Sequence, residues 1–151
     1  MNANKVAKMT GKNRILIVDD DETVRRSYLR SLESISCQVA AASDGEEALQ
    51  SMEQKPFDVV LLDMRMPGQD GLAVLRTIKQ KWPESEVVII TGYPTVDSAK
   101  EAVRLGAFDY VAKPVGPQDV INVTDGAITR KQWALHRVPE VSDVATGTCA
   151  A

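Results

Sequence analysis

Short apolar runs alternate along this chain with longer stretches in which apolar residues recur every three or four positions. Arg14–Val18, Val59–Leu62 and Glu86–Ile90 are apolar at almost every position. Runs of this length, closed by turn residues, predict strands buried on both faces. Gln38–Ala42 is richer in alanine, as an edge strand can be, and Phe108–Ala112 predicts a fifth strand. Between the runs the spacing turns helical. Val24, Tyr28, Leu32 and Ile35 form one stripe, and Ala48, Leu49 and Met52 a second. Leu72, Leu75 and Ile78 form a third, and Val120, Val123, Thr124, Ala127 and Ile128 the last.

Local chemistry marks the helix ends. Asp21 is placed to cap the first helix, and Ser43 with Glu46 reads as a capping box for the second. The third runs from Gly71 to Lys81, where Trp82-Pro83 ends it. Thr95 caps a fourth helix that ends at Leu105, with Gly106 as its terminating glycine. Pro117 starts a fifth, expected to end near Leu135. Five strands alternating with five helices imply an α/β fold. The expectation is a flavodoxin-like (βα)5 three-layer sandwich around a parallel five-stranded sheet of order 2-1-3-4-5.

Composition bounds this picture. With 151 residues, 44% hydrophobic and 26% charged, the chain reads as one domain with tails. Residues 1–13 are expected to be a disordered lead-in, 14–136 the domain, and 137–151 a tail or truncated linker. A net charge of −3 carries no electrostatic footprint for nucleic acid. No apolar run approaches the ~18 residues of a membrane span. Cys37 and Cys149 are too few for a disulfide framework, and a reducing compartment fits.

The carboxyl ends of parallel strands share one edge, where open α/β sheets bind ligands. Asp19 and Asp20 follow the first strand, Asp63 the third, Thr91 the fourth and Lys113 the fifth. Three carboxylates in one crevice repel, and at least one takes up a proton unless a cation is present. Mg²⁺ suits them, being a hard ion that prefers oxygen ligands, and no cysteine–histidine cluster offers zinc a site. A metal beside a carboxylate, a hydroxyl and a lysine is equipment for phosphoryl transfer. The nucleophile is expected to be a carboxylate, because no serine or cysteine sits at the crevice.

The residues that converge here carry a family resemblance. Ile15-Leu-Ile-Val-Asp19-Asp20-Asp21, Asp63-Met-Arg-Met-Pro67-Gly-Gln-Asp-Gly71, Ile90-Thr91-Gly92 and Phe108-Asp-Tyr110-Val-Ala-Lys113-Pro114 resemble the receiver domains of two-component response regulators. The resemblance covers about residues 14–130. It implies that Asp63 accepts a phosphoryl group from a histidine of a partner, either a sensor histidine kinase or a histidine phosphotransfer protein. It implies Mg²⁺ (or Mn²⁺) held by Asp19, Asp20, Asp63 and the backbone carbonyl of Arg65. Thr91 and Lys113 would contact the phosphoryl group, and Thr91 and Tyr110 would form the switch. The output face would be the fourth helix, fifth strand and fifth helix, where phosphorylation can bring a homodimer together. The kinase would dock near Val24 and Arg25.

Further expectations follow from the resemblance. The protein would be cytoplasmic and bacterial in type, and would promote its own phosphorylation without being a turnover enzyme. Lys113-Pro114 is a candidate cis peptide. Arg65 and Tyr93 are bulky where attacking water must pass, which implies slow self-hydrolysis. The Thr91-Gly-Tyr-Pro94 to Lys113-Pro114 segment resembles receivers of transcriptional activators with an ATPase domain. No effector domain is visible after the last helix, so the chain is expected to be a stand-alone receiver or one cut from a longer regulator.

Two rival readings remain open to test. Asp19-Asp-Asp21-Glu-Thr23-Val also fits the first motif of the haloacid-dehalogenase-like phosphatases. Asp19 would then be the nucleophile and Asp21 the acid/base, but no acidic motif follows a strand after Lys113. The other rival is an interaction module that kept the fold without phosphorylation. His136 sits near Pro139 at the expected fraying end of the last helix and reads as a solvated residue rather than a phosphotransfer histidine.

Overall fold

The structure, a computed structural model, describes residues 12–66 and 68–150, with side chains described up to residue 134. Its elements run β1 (Asn13–Val18), α1 (Glu22–Leu32), β2 (Cys37–Ala42), α2 (Gly45–Gln54) and β3 (Val59–Leu62). They continue with α3 (Gly71–Lys81), β4 (Glu86–Thr91), α4 (Val96–Arg104), β5 (Asp109–Ala112) and α5 (Pro117–Ala150). The five strands form one parallel sheet in the order β2-β1-β3-β4-β5. This is the flavodoxin-like topology that the alternation predicts.

Strand side chains point alternately to the two faces, so a continuous apolar run feeds two cores at once. In β3, Val60 and Leu62 join Leu16, Val18, Val87 and Ile89 beneath α2, α3 and α4. Val59 and Leu61 face the other way, with Ile15, Ile17, Val88 and Ile90, beneath α1 and α5. All four β3 residues are buried. The strands also end nearly level: Val18 lies beside Leu62, and Leu62 beside Ile89. Backbone bonding continues one residue past the strands, from Asp63 N to Val18 O at 2.9 Å and from Lys113 N to Thr91 O at 2.7 Å. That register brings Asp19, Asp63, Thr91 and Lys113 to one edge.

Some local expectations change. Asn13 belongs to β1, paired with Cys37, rather than to the lead-in. Residues 1–11 of the expected lead-in lie outside the described residues, as do the side chains of His136 and Cys149. The α2 capping box sits one residue later than the Ser43/Glu46 spacing suggests. Asp44 is the cap and accepts from Glu47 N at 2.8 Å, while Ser43 N donates to Glu47 Oε1 at 2.7 Å. Gly45, the first residue of the helix, packs against Gln69 and Val74, where a Cβ would lie 2.4 Å from Gln69 Oε1.

Arg65–Met66 pairs antiparallel with Gln69–Asp70, in a stretch whose sequence predicts only an absence of helix. Helix α5 continues to Ala150, where the composition after Val138 predicts none. The Lys113–Pro114 peptide is cis, as expected, and the Cys37 thiol is free.

Candidate functional site

The site begins where β1 and β3 run out. Asp19 and Asp63 are buried and Asp20 is exposed. Their carboxylate oxygens lie within 4.8 Å of one another. Burial pushes the Asp63 carboxyl above its usual range, and the Asp19 charge adds to this. Lys113 and the Arg65 N–H pull the other way without cancelling it, and Asp20 raises it a little further. The donor set is therefore all oxygen, crowded and electrostatically strained. A hard divalent cation such as Mg²⁺ or Mn²⁺ fits that chemistry, and a soft metal does not.

Lys113 closes the crevice from the β5 side. Its Nζ donates to Asp19 Oδ2 at 2.8 Å and lies 3.7 Å from Asp63 Oδ1. Burial alone would lower its pKa. The hydrogen bond to Asp19 and the Asp19 charge, with Asp63 and Asp20 behind them, raise it above the usual lysine range instead. The ammonium therefore stays charged at neutral pH. Thr91 is fully buried, and its Oγ1 accepts from Tyr93 N at 3.0 Å. Beside it, a Cβ at Gly92 would meet only Lys113 Cδ, at 3.8 Å, so the space next to Gly92 is uncrowded.

Three further contacts frame the crevice. The Arg65 guanidinium stacks on the Tyr93 ring at 4.0 Å and joins the β3–α3 and β4–α4 loops across the top. The Tyr110 hydroxyl hydrogen-bonds Ser98 Oγ and accepts from Thr95 N at 3.2 Å, so it is tied to the first turn of α4. Gly71 packs directly beneath Asp63. A Cβ there would lie 2.7 Å from Asp63 O and 2.6 Å from Met64 Cα, which only glycine avoids.

The profile of the response regulator receiver domain family matches residues 15–125. The chain belongs to that family. The receiver is 40% identical over 116 residues to the DNA-binding transcriptional regulator NtrC of Klebsiella pneumoniae, covering 77% of this chain and 25% of that protein. It is 42% identical over 106 residues to the regulatory protein AtoC of Escherichia coli (strain K12), covering 70% of this chain and 23% of that protein. The receiver thus spans about a quarter of the length of these curated relatives. Among solved structures, NtrX from Brucella abortus superposes with a TM-score of 0.76 at 33% identity, over 88% of this chain and 29% of that one. A response regulator receiver domain from Clostridium thermocellum gives 0.75 at 36% identity, over 81% of this chain and 98% of that one.

The receiver brings Asp19, Asp20, Asp63 and Lys113 into one cluster, with Thr91 bonded to the Lys113 backbone. Asp21 stands apart from it. Its carboxylate caps α1, accepting from Thr23 N at 2.8 Å and Val24 N at 3.4 Å, so it is not free for the acid/base role of the phosphatase rival. Among the described residues, no helix is long and apolar enough to cross a membrane.

The sequence left three neighbours of the site unmarked. Tyr28 reads as one more apolar position of α1, yet burial, with Asp19 and then Asp63, raises its phenol far above the usual tyrosine range. It therefore stays neutral beside the acidic cluster. Ser98 stands three residues after the Thr95 cap, a spacing that marks local capping but not its bond to Tyr110. Arg25 turns its guanidinium inward to the Asp19 backbone, although its position suggests only the docking face.

Proposed function

We propose that this receiver takes a phosphoryl group onto Asp63 from the phosphohistidine of a sensor histidine kinase or histidine phosphotransfer protein, with Mg²⁺ or Mn²⁺ bound. The observation that carries the reading is the cluster itself: a buried carboxylate with two further carboxylates on one side and a fixed ammonium on the other. Asp19, Asp20, Asp63 and the Arg65 backbone carbonyl would hold the ion. When bound, it offsets negative charge on the phosphoryl oxygens.

An Asp63 carboxylate oxygen attacks phosphorus in line, an acyl phosphate O–P bond forms, and the N–P bond to the imidazole breaks. With its other ring nitrogen protonated, the imidazole keeps the bond's electron pair and leaves neutral. Lys113 neutralises a phosphoryl oxygen, and the Thr91 hydroxyl donates to another. The hydroxyl can donate while it still accepts from Tyr93 N, and its shift toward the phosphoryl oxygens leaves a space. Tyr110 then leaves Ser98 for the space beside Thr91, and the α4-β5-α5 face changes. A homodimer formed across that face on phosphorylation completes the reading. Its likeness to NtrC, by name a DNA-binding transcriptional regulator, supports a transcriptional output in the cytoplasm of a bacterium. The net charge of −3 supports placing any DNA contact outside this segment. Each phosphoryl group is spent on the protein itself, so this is not a turnover enzyme.

Incubation with acetyl phosphate and Mg²⁺ tests the reading by intact mass. The protein gains one phosphoryl group, and neither EDTA-treated wild type nor Asp63→Asn does. No gain in wild type, or an equal gain in Asp63→Asn, overturns it.

A further inference from the structure

We propose that Arg25 is a positioning residue of the cation site, its guanidinium fixing the peptide that joins Asp19 to Asp20. The inference rests on the receiver reading above. Arg25 lies in the first turn of α1, and its side chain folds back across the helix start. Its Nη1 donates to Asp19 O at 2.6 Å in a partly buried contact. That oxygen is the carbonyl of the one peptide linking the two carboxylates, so its direction sets where both side chains leave the backbone.

The carbonyl needs this partner because the sheet has stopped supplying one. Val18 O is taken by Asp63 N at 2.9 Å, but Asp19 O lies beyond the β1–β3 ladder. The rest of the turn is fixed by other bonds. Asp19 N donates to Ala42 O at 3.2 Å, Asp21 N to Asp19 Oδ1 at 2.9 Å, and Thr23 N to Asp21 Oδ1 at 2.8 Å. The Asp19–Asp20 peptide plane is held through its carbonyl, by the Arg25 side chain. Without Arg25 that plane is free to rotate and turn the exposed Asp20 carboxylate away from Asp63.

The residue's placement supports a dedicated role. A cation at a helix N-terminus opposes the helix dipole. The neighbouring Arg26 is engaged on the surface by Glu22 at 3.0 Å, whereas Arg25 is turned inward. Two effects on Mg²⁺ oppose each other. The guanidinium charge repels a dication, and the hydrogen bond preorganises its ligands. Loss of an outer hydrogen-bond partner lowers metal affinity by about 10–100-fold, so positioning wins.

The test titrates the full chain with Mg²⁺ alone and follows the backbone amide signals of Asp19, Asp20 and Asp63. Arg25→Ala is expected to bind about tenfold more weakly than wild type. Arg25→Lys keeps a donor of similar reach and is expected to restore most of the affinity. A merely structural role would shift metal-free melting in both variants without separating their Mg²⁺ constants. If Arg25→Ala does not fold, Arg25→Gln, which drops the charge and shortens the reach, is expected to bind more weakly than both wild type and Arg25→Lys. Binding as tight as wild type or tighter, in alanine or glutamine, overturns the inference while leaving the receiver reading intact. A wild type with no saturable Mg²⁺ response overturns both.

Discussion

Replacing Lys113 by methionine keeps most of the side chain's length and removes its charge. In the wild type the ammonium sits 2.8 Å from Asp19 Oδ2 and 3.7 Å from Asp63 Oδ1, with the Asp19 side chain 2% exposed. Removing one partner of a buried pair typically costs about 3–5 kcal/mol. The Lys113 side chain is 23% exposed, so the lower end applies, roughly 3 kcal/mol. In a chain of this size that is a fall in melting temperature of about 6–12 °C.

The pH dependence has a definite sign. Lys113 lies above its ordinary value, so its contribution is complete at neutral pH and is lost only on the alkaline side. The Asp63 carboxyl is already raised by burial and Asp19, and goes higher without the ammonium. A carboxyl with a raised folded-state value binds its proton more tightly when folded. The Lys113→Met deficit therefore shrinks as pH falls through that value. Mg²⁺ acts the same way, because it supplies the missing positive charge and no longer competes with an ammonium. At one hundred times its Kd it adds about 2.7 kcal/mol to any folded state that alone binds it. At one fixed Mg²⁺ concentration the variant binds more tightly and so gains more than wild type. Urea unfolding of both proteins, with EDTA and with Mg²⁺, at neutral and mildly acid pH, measures each term. A variant as stable as wild type without metal at neutral pH, or an equal Mg²⁺ gain in both, refutes the reasoning.

Other contacts make sharper local predictions. Tyr110→Phe deletes the bonds to Ser98 Oγ and from Thr95 N, and Ser98→Ala deletes the first of these together with its own bonds to Thr95; at about 1 kcal/mol per bond each should speed amide exchange in the first turn of α4, the double variant losing less than the sum because one bond is shared. Unchanged exchange at Thr95 and Ser98 would count against the tie between Tyr110 and α4. Arg65→Ala or Tyr93→Ala should shorten the lifetime of phosphorylated Asp63 by opening the stacked roof. A wild-type lifetime of only seconds, measured by loss of the acyl phosphate, would contradict that role. Gly71→Ala forces a Cβ to within 2.6 Å of Met64 Cα and should cost about 1–3 kcal/mol in chemical denaturation, with an undisturbed melting curve as the contrary result.

The fold was legible because its strands are buried on both sides. A run such as Val59–Leu62 has one reading when it recurs between helical stripes, and right-handed crossovers then leave few topologies. The site residues were legible for a related reason: each follows directly on a strand, so topology alone places them together. What escaped depends on side-chain reach, which spacing does not encode. Nothing around Arg25 shows that its guanidinium turns back to Asp19 O, and nothing around Ser98 announces Tyr110 from twelve residues away. The α2 cap is Asp44 rather than Ser43, because Asp44 takes Glu47 N while Ser43 is engaged by the Glu47 side chain, a choice that spacing alone leaves open. The Arg65–Tyr93 stack joins two positions that the sequence marks as bulky but does not pair.

The central claim is that the phosphoryl group goes to Asp63 and not to Asp19. Borohydride reduction of the acetyl phosphate-treated protein converts an aspartyl phosphate to homoserine, and peptide mass mapping then locates it. The account predicts homoserine at position 63 alone, appearing only with Mg²⁺ present. Reduction at Asp19, or at no aspartate in a protein that has bound Mg²⁺, would contradict it.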